Sequence, residues 1–159
     1  MSDSLQVPRN VACGETIARI ILNRTLVSDG MVSPLAFNLR PLNPPEKYVS
    51  VFRQDYIEMS VDAIKTAVPA WEKRDIYGYV SLGVKDCRSV KYDEFKIEVK
   101  AYPSEINPAH AGILFLLFPD IIPLKAGDPI PVNYMEALQD LAAISVFSTL
   151  TPGKIESGR

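Results

Sequence analysis

The sequence predicts an α+β protein: a single domain with a mixed sheet of about four strands and helices packed on one face. Three observations lead there. The chain has 159 residues, 47% hydrophobic and 23% charged, which suits one globular domain. Several segments alternate in polarity or are rich in β-branched and aromatic residues, as strands are. Segments with helical spacing lie near both ends of the chain. The domain is expected over 11–150, between flexible ends at 1–10 and 151–159.

Taken in order, "GETIARIILNRTL" sets Ile17, Ile20, Ile21 and Arg24 at helical spacing, an amphipathic helix ending near "SDG". "SPLAFNLRPLNPPE" carries Pro34, Pro41, Pro44 and Pro45 and reads as an extended surface ribbon. "KYVSVFRQ" reads as a strand. Ser60 then caps "VDAIKTAV", with Asp62 in the first turn where the helix dipole favours an anion, and Pro69 stops it. "DIYGYVSLGV" is a second strand and "KDCRSV" one helical turn. In "DEFKIEVKAY", Phe95, Ile97 and Val99 alternate with Lys96, Glu98 and Lys100, a half-buried strand. "GILFLLF" is apolar on both faces, so it is a central strand or a segment sealed under loops. "NYMEALQDLAAISVFSTL" places Met135, Leu138, Leu141 and Ala142 on one helical stripe, ended by Pro152 and Gly153.

Composition narrows the function classes. A net charge of −2 gives no bulk attraction for nucleic acid, and "EKRDIYGY" at 72–79 alternates in sign like a solvated turn. Cys13 and Cys87 lie in unlike contexts and form no disulfide framework, so a reducing compartment is expected. "MSDSLQVPRN" has no apolar signal core, and "AGILFLLFPDIIPL" is broken by Pro119 and Asp120 before it could span a bilayer. The expectation is a soluble cytoplasmic protein with neither membrane nor nucleic acid as partner. One histidine and two distant cysteines supply no zinc set. Phosphate-loop, dinucleotide and nucleophile-elbow glycine patterns are missing, so no metal or cofactor is expected.

The remaining chemistry centres on His110, the only histidine. As a general acid or base it would need partners, and Arg53 and Arg88 are candidates for holding a phosphate-bearing substrate beside it. As a structural residue in the "NPAH" turn, its ring would bond a neighbouring carbonyl that the proline-rich segment leaves unpaired. Cys87, beside Arg88 and Asp86, reads as a core residue or as an activated thiol. Arg40, Arg53 and Arg88 with Tyr56 and the other strand tyrosines could instead line a partner surface.

"SPLAF", "YVSVFRQDYI", "YGYVSLGVKDCRSV" and "IEVKAYPSEINPAHAGIL" follow one another in an order that resembles a group of small bacterial proteins of no assigned activity. In that group a P-x-A-F stretch precedes an L-S-x-[YF]-R strand, a strand-and-turn ending D-[LC]-R, and a P-x-H-A-x-I segment. The resemblance spans residues 33 to about 114 and falls on Pro34, Phe37, Ser50, Arg53, Asp86, Arg88, Pro108, His110 and Ile113. It implies a bacterial or phage origin and an accessory role in a multi-gene, defence-type system. Cys87 stands where leucine is usual in the group, which points to an apolar role. The "VFR" strand followed by a tyrosine also resembles nucleotide sites of ADP-ribosyltransferase type.

Two functions are therefore expected. The first is a non-enzymatic accessory protein that binds a protein encoded nearby. The second is a small enzyme acting on a phosphate-bearing or nucleotide substrate through His110 with Arg53 and Arg88. An imidazole at the floor of a cavity, with guanidinium groups around it, favours the second.

Overall fold

The computed structural model describes residues 7–151; the parts of the expected flexible ends at 1–6 and 152–159 lie outside the described residues. Among the described residues nine strands and three α-helices follow one another: β1 Thr16–Ile21, β2 Val27–Ser28, β3 Met31–Val32, β4 Val49–Arg53, α1 Val61–Ala67, β5 Gly78–Gly83, α2 Val84–Arg88, β6 Phe95–Ala101, β7 His110–Leu117, β8 Ile122–Pro123, α3 Tyr134–Ile144 and β9 Val146–Ser148. One sheet of seven strands runs β6-β7-β4-β1-β5-β9, with β8 added to β7, and β2 and β3 form a separate ribbon. Every strand pairing in these sheets is antiparallel.

This overturns the expected mixed sheet of about four strands with helices on one face. The protein is sheet-dominated, and the largest correction is at the first element. Residues 16–21 form a strand near the middle of the sheet, paired over six positions with β5. Ile17, Ile20 and Ile21 do fall at helical spacing, but Thr16 and the three isoleucines are β-branched and lose side-chain freedom in a helix. A central strand buries both faces, so helical spacing and buried-strand composition coincide in so short a run. The other additions are short. β8 has two residues, and β9 begins straight after α3, in a stretch the helical stripe had absorbed.

The other readings stand closer to the structure. The Ser60 hydroxyl accepts from the Ala63 N–H at 3.2 Å and starts α1, as a capping serine should. Phe95, Ile97 and Val99 of β6 are buried, and β7 is buried along Ala111–Leu116. "SPLAF" is not an extended ribbon throughout: Pro34–Phe37 makes a 3-10 turn that buries Ala36 and Phe37. The buried stripe of α3 is Tyr134, Ala137, Leu138 and Leu141, whereas Met135 is 47% exposed.

Helices cover both faces. On one face Val49, Val51, Val80, Leu82, Ile113 and Phe115 pack with α3 and with Val84 and Cys87 of α2. On the other, Ile20, Phe52 and Ala109 pack with Ile64 and Ala67 of α1. The sheet edges are guarded. Ile97 of β6 donates its N–H outward to the Val90 carbonyl at 3.1 Å, and the carbonyl of Val99 accepts from Arg88 at 3.0 Å. The opposite edge, β9, is only three residues long.

Candidate functional site

The His110 ring opens β7 on the face that carries Ser50 and Phe52 of β4, because Phe52 pairs directly with His110 in the antiparallel register. Its backbone N–H closes the preceding turn on the Asn107 carbonyl at 3.1 Å. Nδ1 lies 2.9 Å from the Tyr102 carbonyl, which can only accept, so Nδ1 carries the proton. In the neutral ring Nε2 then presents its lone pair to the Ser50 hydroxyl at 3.3 Å. Tyr48 and Tyr102 stack at 4.2 Å, and the imidazole tilts against both. The ring is thus fastened at both nitrogens, as a turn-closing histidine would be.

It also borders a cavity of about 380 Å³, lined by Arg19, Arg40, Ser50, Phe52, Trp71, Asn107 and His110 among others. Arg19 reaches it from β1. The ladder between β1 and β4 covers only Ile17↔Arg53 and Ala18↔Phe52, and the Arg19 guanidinium lies where it stops. Its Nη1 donates to the Ser50 carbonyl at 2.9 Å and its Nε to the Ala36 carbonyl at 3.0 Å. Burial lowers its pKa to about 10, helped by the like charge of Arg40 and opposed by Glu46, so it stays cationic at neutral pH. Among the described residues Arg19 forms no ion pair.

His110 thus borders a cavity with two guanidiniums, Arg19 and Arg40, but both its ring nitrogens are bonded within the protein. Arg53 and Arg88, the arginines the enzymatic reading relies on, do not reach it. Arg53 is 1% exposed and points to the opposite face, held by both oxygens of Glu15 at 2.8 Å and by the carbonyls of Pro8 and Asn10 at 2.6 and 3.2 Å. Residues 8 and 10, expected in a flexible end, are therefore pinned. Tyr56 lies under the Arg53 guanidinium, 4.9 Å from ring centre to carbon. Arg88 donates to Glu98, to the Val11 and Val99 carbonyls at 2.8 and 3.0 Å, and to the Cys13 sulfur at 3.3 Å. Both guanidiniums clamp residues 8–13 onto the sheet. Asp86 is exposed in the first turn of α2. Of the predicted arginines, Arg40 does reach the cavity, at its rim, paired with Glu46 at 2.7 Å.

Arg19, Trp71 and Asn107 were not singled out from the sequence. A signal for Arg19 existed: a cation inside the apolar run "TIARII" is unusual on a core strand. It is visible only once the run is read as a strand.

Cys87 is fully buried, and burial, with the nearby Asp86 charge, pushes its thiol up to about 12. It packs with Val84 and Val90 and does not pair with His110. Cys13 is exposed. Thiol titration of the native protein is expected to count one reactive cysteine, and a second only after denaturation; two fast thiols in the native state would contradict the buried placement of Cys87. Among the described residues no group of three or more His, Cys, Asp or Glu side chains is placed to hold a metal, and no helix is long and apolar enough to cross a membrane.

Comparison with protein-family models, curated proteins and solved structures finds no match for the chain.

Proposed function

We propose that the protein is a non-enzymatic accessory protein that binds a protein encoded nearby in a bacterial or phage multi-gene system. The observation that carries this reading is an apolar surface on residues 121–135. Ile121, Ile122, Ile130, Val132 and Met135 are 43%, 55%, 70%, 82% and 47% exposed. Glu94 draws the stretch together: its carbonyl accepts from the Phe118 N–H at 2.9 Å and its carboxylate from the Val132 N–H at 2.9 Å. The loop thus lies against the β7–β8 hairpin. Ile121 at the hairpin tip has a φ of 58°, a left-handed conformation costing about 1–3 kcal/mol for a β-branched residue. A strained, exposed isoleucine beside other exposed apolar side chains suits a docking surface better than a solvated turn.

Strand addition is a poorer mode of docking, because β6 is already covered at its edge and β9 is short. Arg53 and Arg88, which fasten residues 8–13 by the Val99–Ala101 end of β6, lie away from this surface, which sits by the Phe95 end. The immobilised protein is expected to retain the product of a neighbouring gene, and the Ile122→Asp, Val132→Asp double variant to lose at least about 30-fold in affinity, as hot-spot truncations do. Retention of no neighbouring product overturns the reading. Undiminished retention by the double variant overturns the surface.

A further inference from the structure

We infer that the cavity beside His110 binds a small organic anion, a carboxylate or phosphate carried on a flat apolar body. The inference is independent of the proposed partner surface and rests on two separate observations.

The first is Arg19. Its Nε and Nη1 are spent on the Ala36 and Ser50 carbonyls, which fix the plane of the guanidinium, while Nη2 has no partner among the described residues. Arg40 at the rim is neutralised by Glu46 at 2.7 Å. The uncompensated charge in the cavity is therefore the Arg19 guanidinium. A half-buried guanidinium without a carboxylate is the group that planar anionic oxygens satisfy.

The second is Asn107. It is 7% exposed and lines the same cavity, and its Oδ1 is buried without any hydrogen-bond partner. Buried side-chain polar atoms are rarely left so. With Oδ1 sealed in the protein, the end of the amide left for an anion in the cavity is its NH₂. The rest of the lining fits a flat body, with Ile20, Phe52 and Trp71 forming apolar walls and about 380 Å³ of room. That volume suits a ligand of one or two rings. The Ser50 hydroxyl, held by His110 Nε2, is a further polar contact at the same wall.

Trp71 is the only tryptophan of the chain and lines the cavity, so its fluorescence reports occupancy directly. Phenyl phosphate and benzoate are expected to change Trp71 emission saturably below about 10 mM, with neutral benzamide at least about tenfold weaker. Arg19→Gln should weaken the anions by about tenfold or more. Because Arg19 also ties two backbone carbonyls, Asn107→Leu is the second arm. It removes an unsatisfied buried oxygen, so its melting temperature should rise or hold while its affinity for the anions falls. That opposite movement distinguishes a binding residue from a structural one. No saturable response of the wild type to either anion overturns the inference, as does benzamide binding equally well. So does an Asn107→Leu protein that keeps full affinity.

Discussion

Arg53→Ala is expected to destabilise the protein by about 3–5 kcal/mol, a fall in melting temperature of roughly 6–20 °C. The guanidinium is 1% exposed and Glu15 6%, so truncation leaves a carboxylate buried and uncompensated. It also orphans the Pro8 and Asn10 carbonyls that Arg53 holds. The lower half of the range is the better expectation, because Pro8 and Asn10 belong to a single layer of chain that a truncated site can open to water. Acid should act on the same pair. Burial pushes the Glu15 carboxyl up, but hydrogen bonds from Arg53 and the Ala12 N–H, with the charge of Arg53, outweigh it and leave the carboxyl below its ordinary 4.5. A depressed carboxyl contributes stability that is complete above its unfolded value and is lost as pH falls through the folded one. Melting temperature should therefore decline below about pH 4.5, and Glu15→Gln should flatten that decline while lowering the plateau. A wild-type-like melt for Arg53→Ala, or an unchanged acid limb for Glu15→Gln, would mean the pair is not closed in solution.

Phe115→Ala should cost about as much, ~3–5 kcal/mol, by a different cause. The ring is fully buried on β7. It meets Phe95 of β6 edge-on at 6.1 Å and Tyr134 of α3 at 5.2 Å. Tyr134 in turn accepts from the Leu39 N–H at 3.0 Å and donates to Asn38 at 2.8 Å, so the void would open where the sheet, α3 and the 38–39 segment meet. None of these elements can collapse into it without giving up hydrogen bonds. Phe115→Leu, which keeps most of the volume, should recover much of the loss in denaturant melts. Equal losses for alanine and leucine would show that the ring's shape, not its volume, carries the stability.

How far the chain was readable depended on whether a signal was local. The Ser60 cap, the alternation of Phe95, Ile97 and Val99, and the apolar side of "VKDCRSV" are local, and each matches the structure. The strand at 16–21 was misread because its apolar spacing satisfies a helix as well, and its strand character comes from hydrogen bonds to β5, some sixty residues away in sequence. The candidate site shows the same division. His110 was evident as the only imidazole; its ring bonds the Tyr102 carbonyl, eight residues earlier across the connection from β6 to β7. Its neighbours were not evident. Arg53 and Arg88 lie near it in the motif order but spend their donors on residues 8–15 and on Glu98 and Val99.

By itself the sequence determined one domain's worth of core, the mild negative charge, the missing metal and phosphate motifs, and the strands and helices whose patterns are unambiguous over their own length. Only the tertiary structure decided the seven-stranded antiparallel order, the helices on both faces, and which arginine stands beside His110. The reason is that side-chain period and composition are properties of neighbours in the chain. Strand order, and the meeting of Arg19, Trp71 and Asn107 at one cavity, come from backbone pairing between distant segments, which no short pattern encodes.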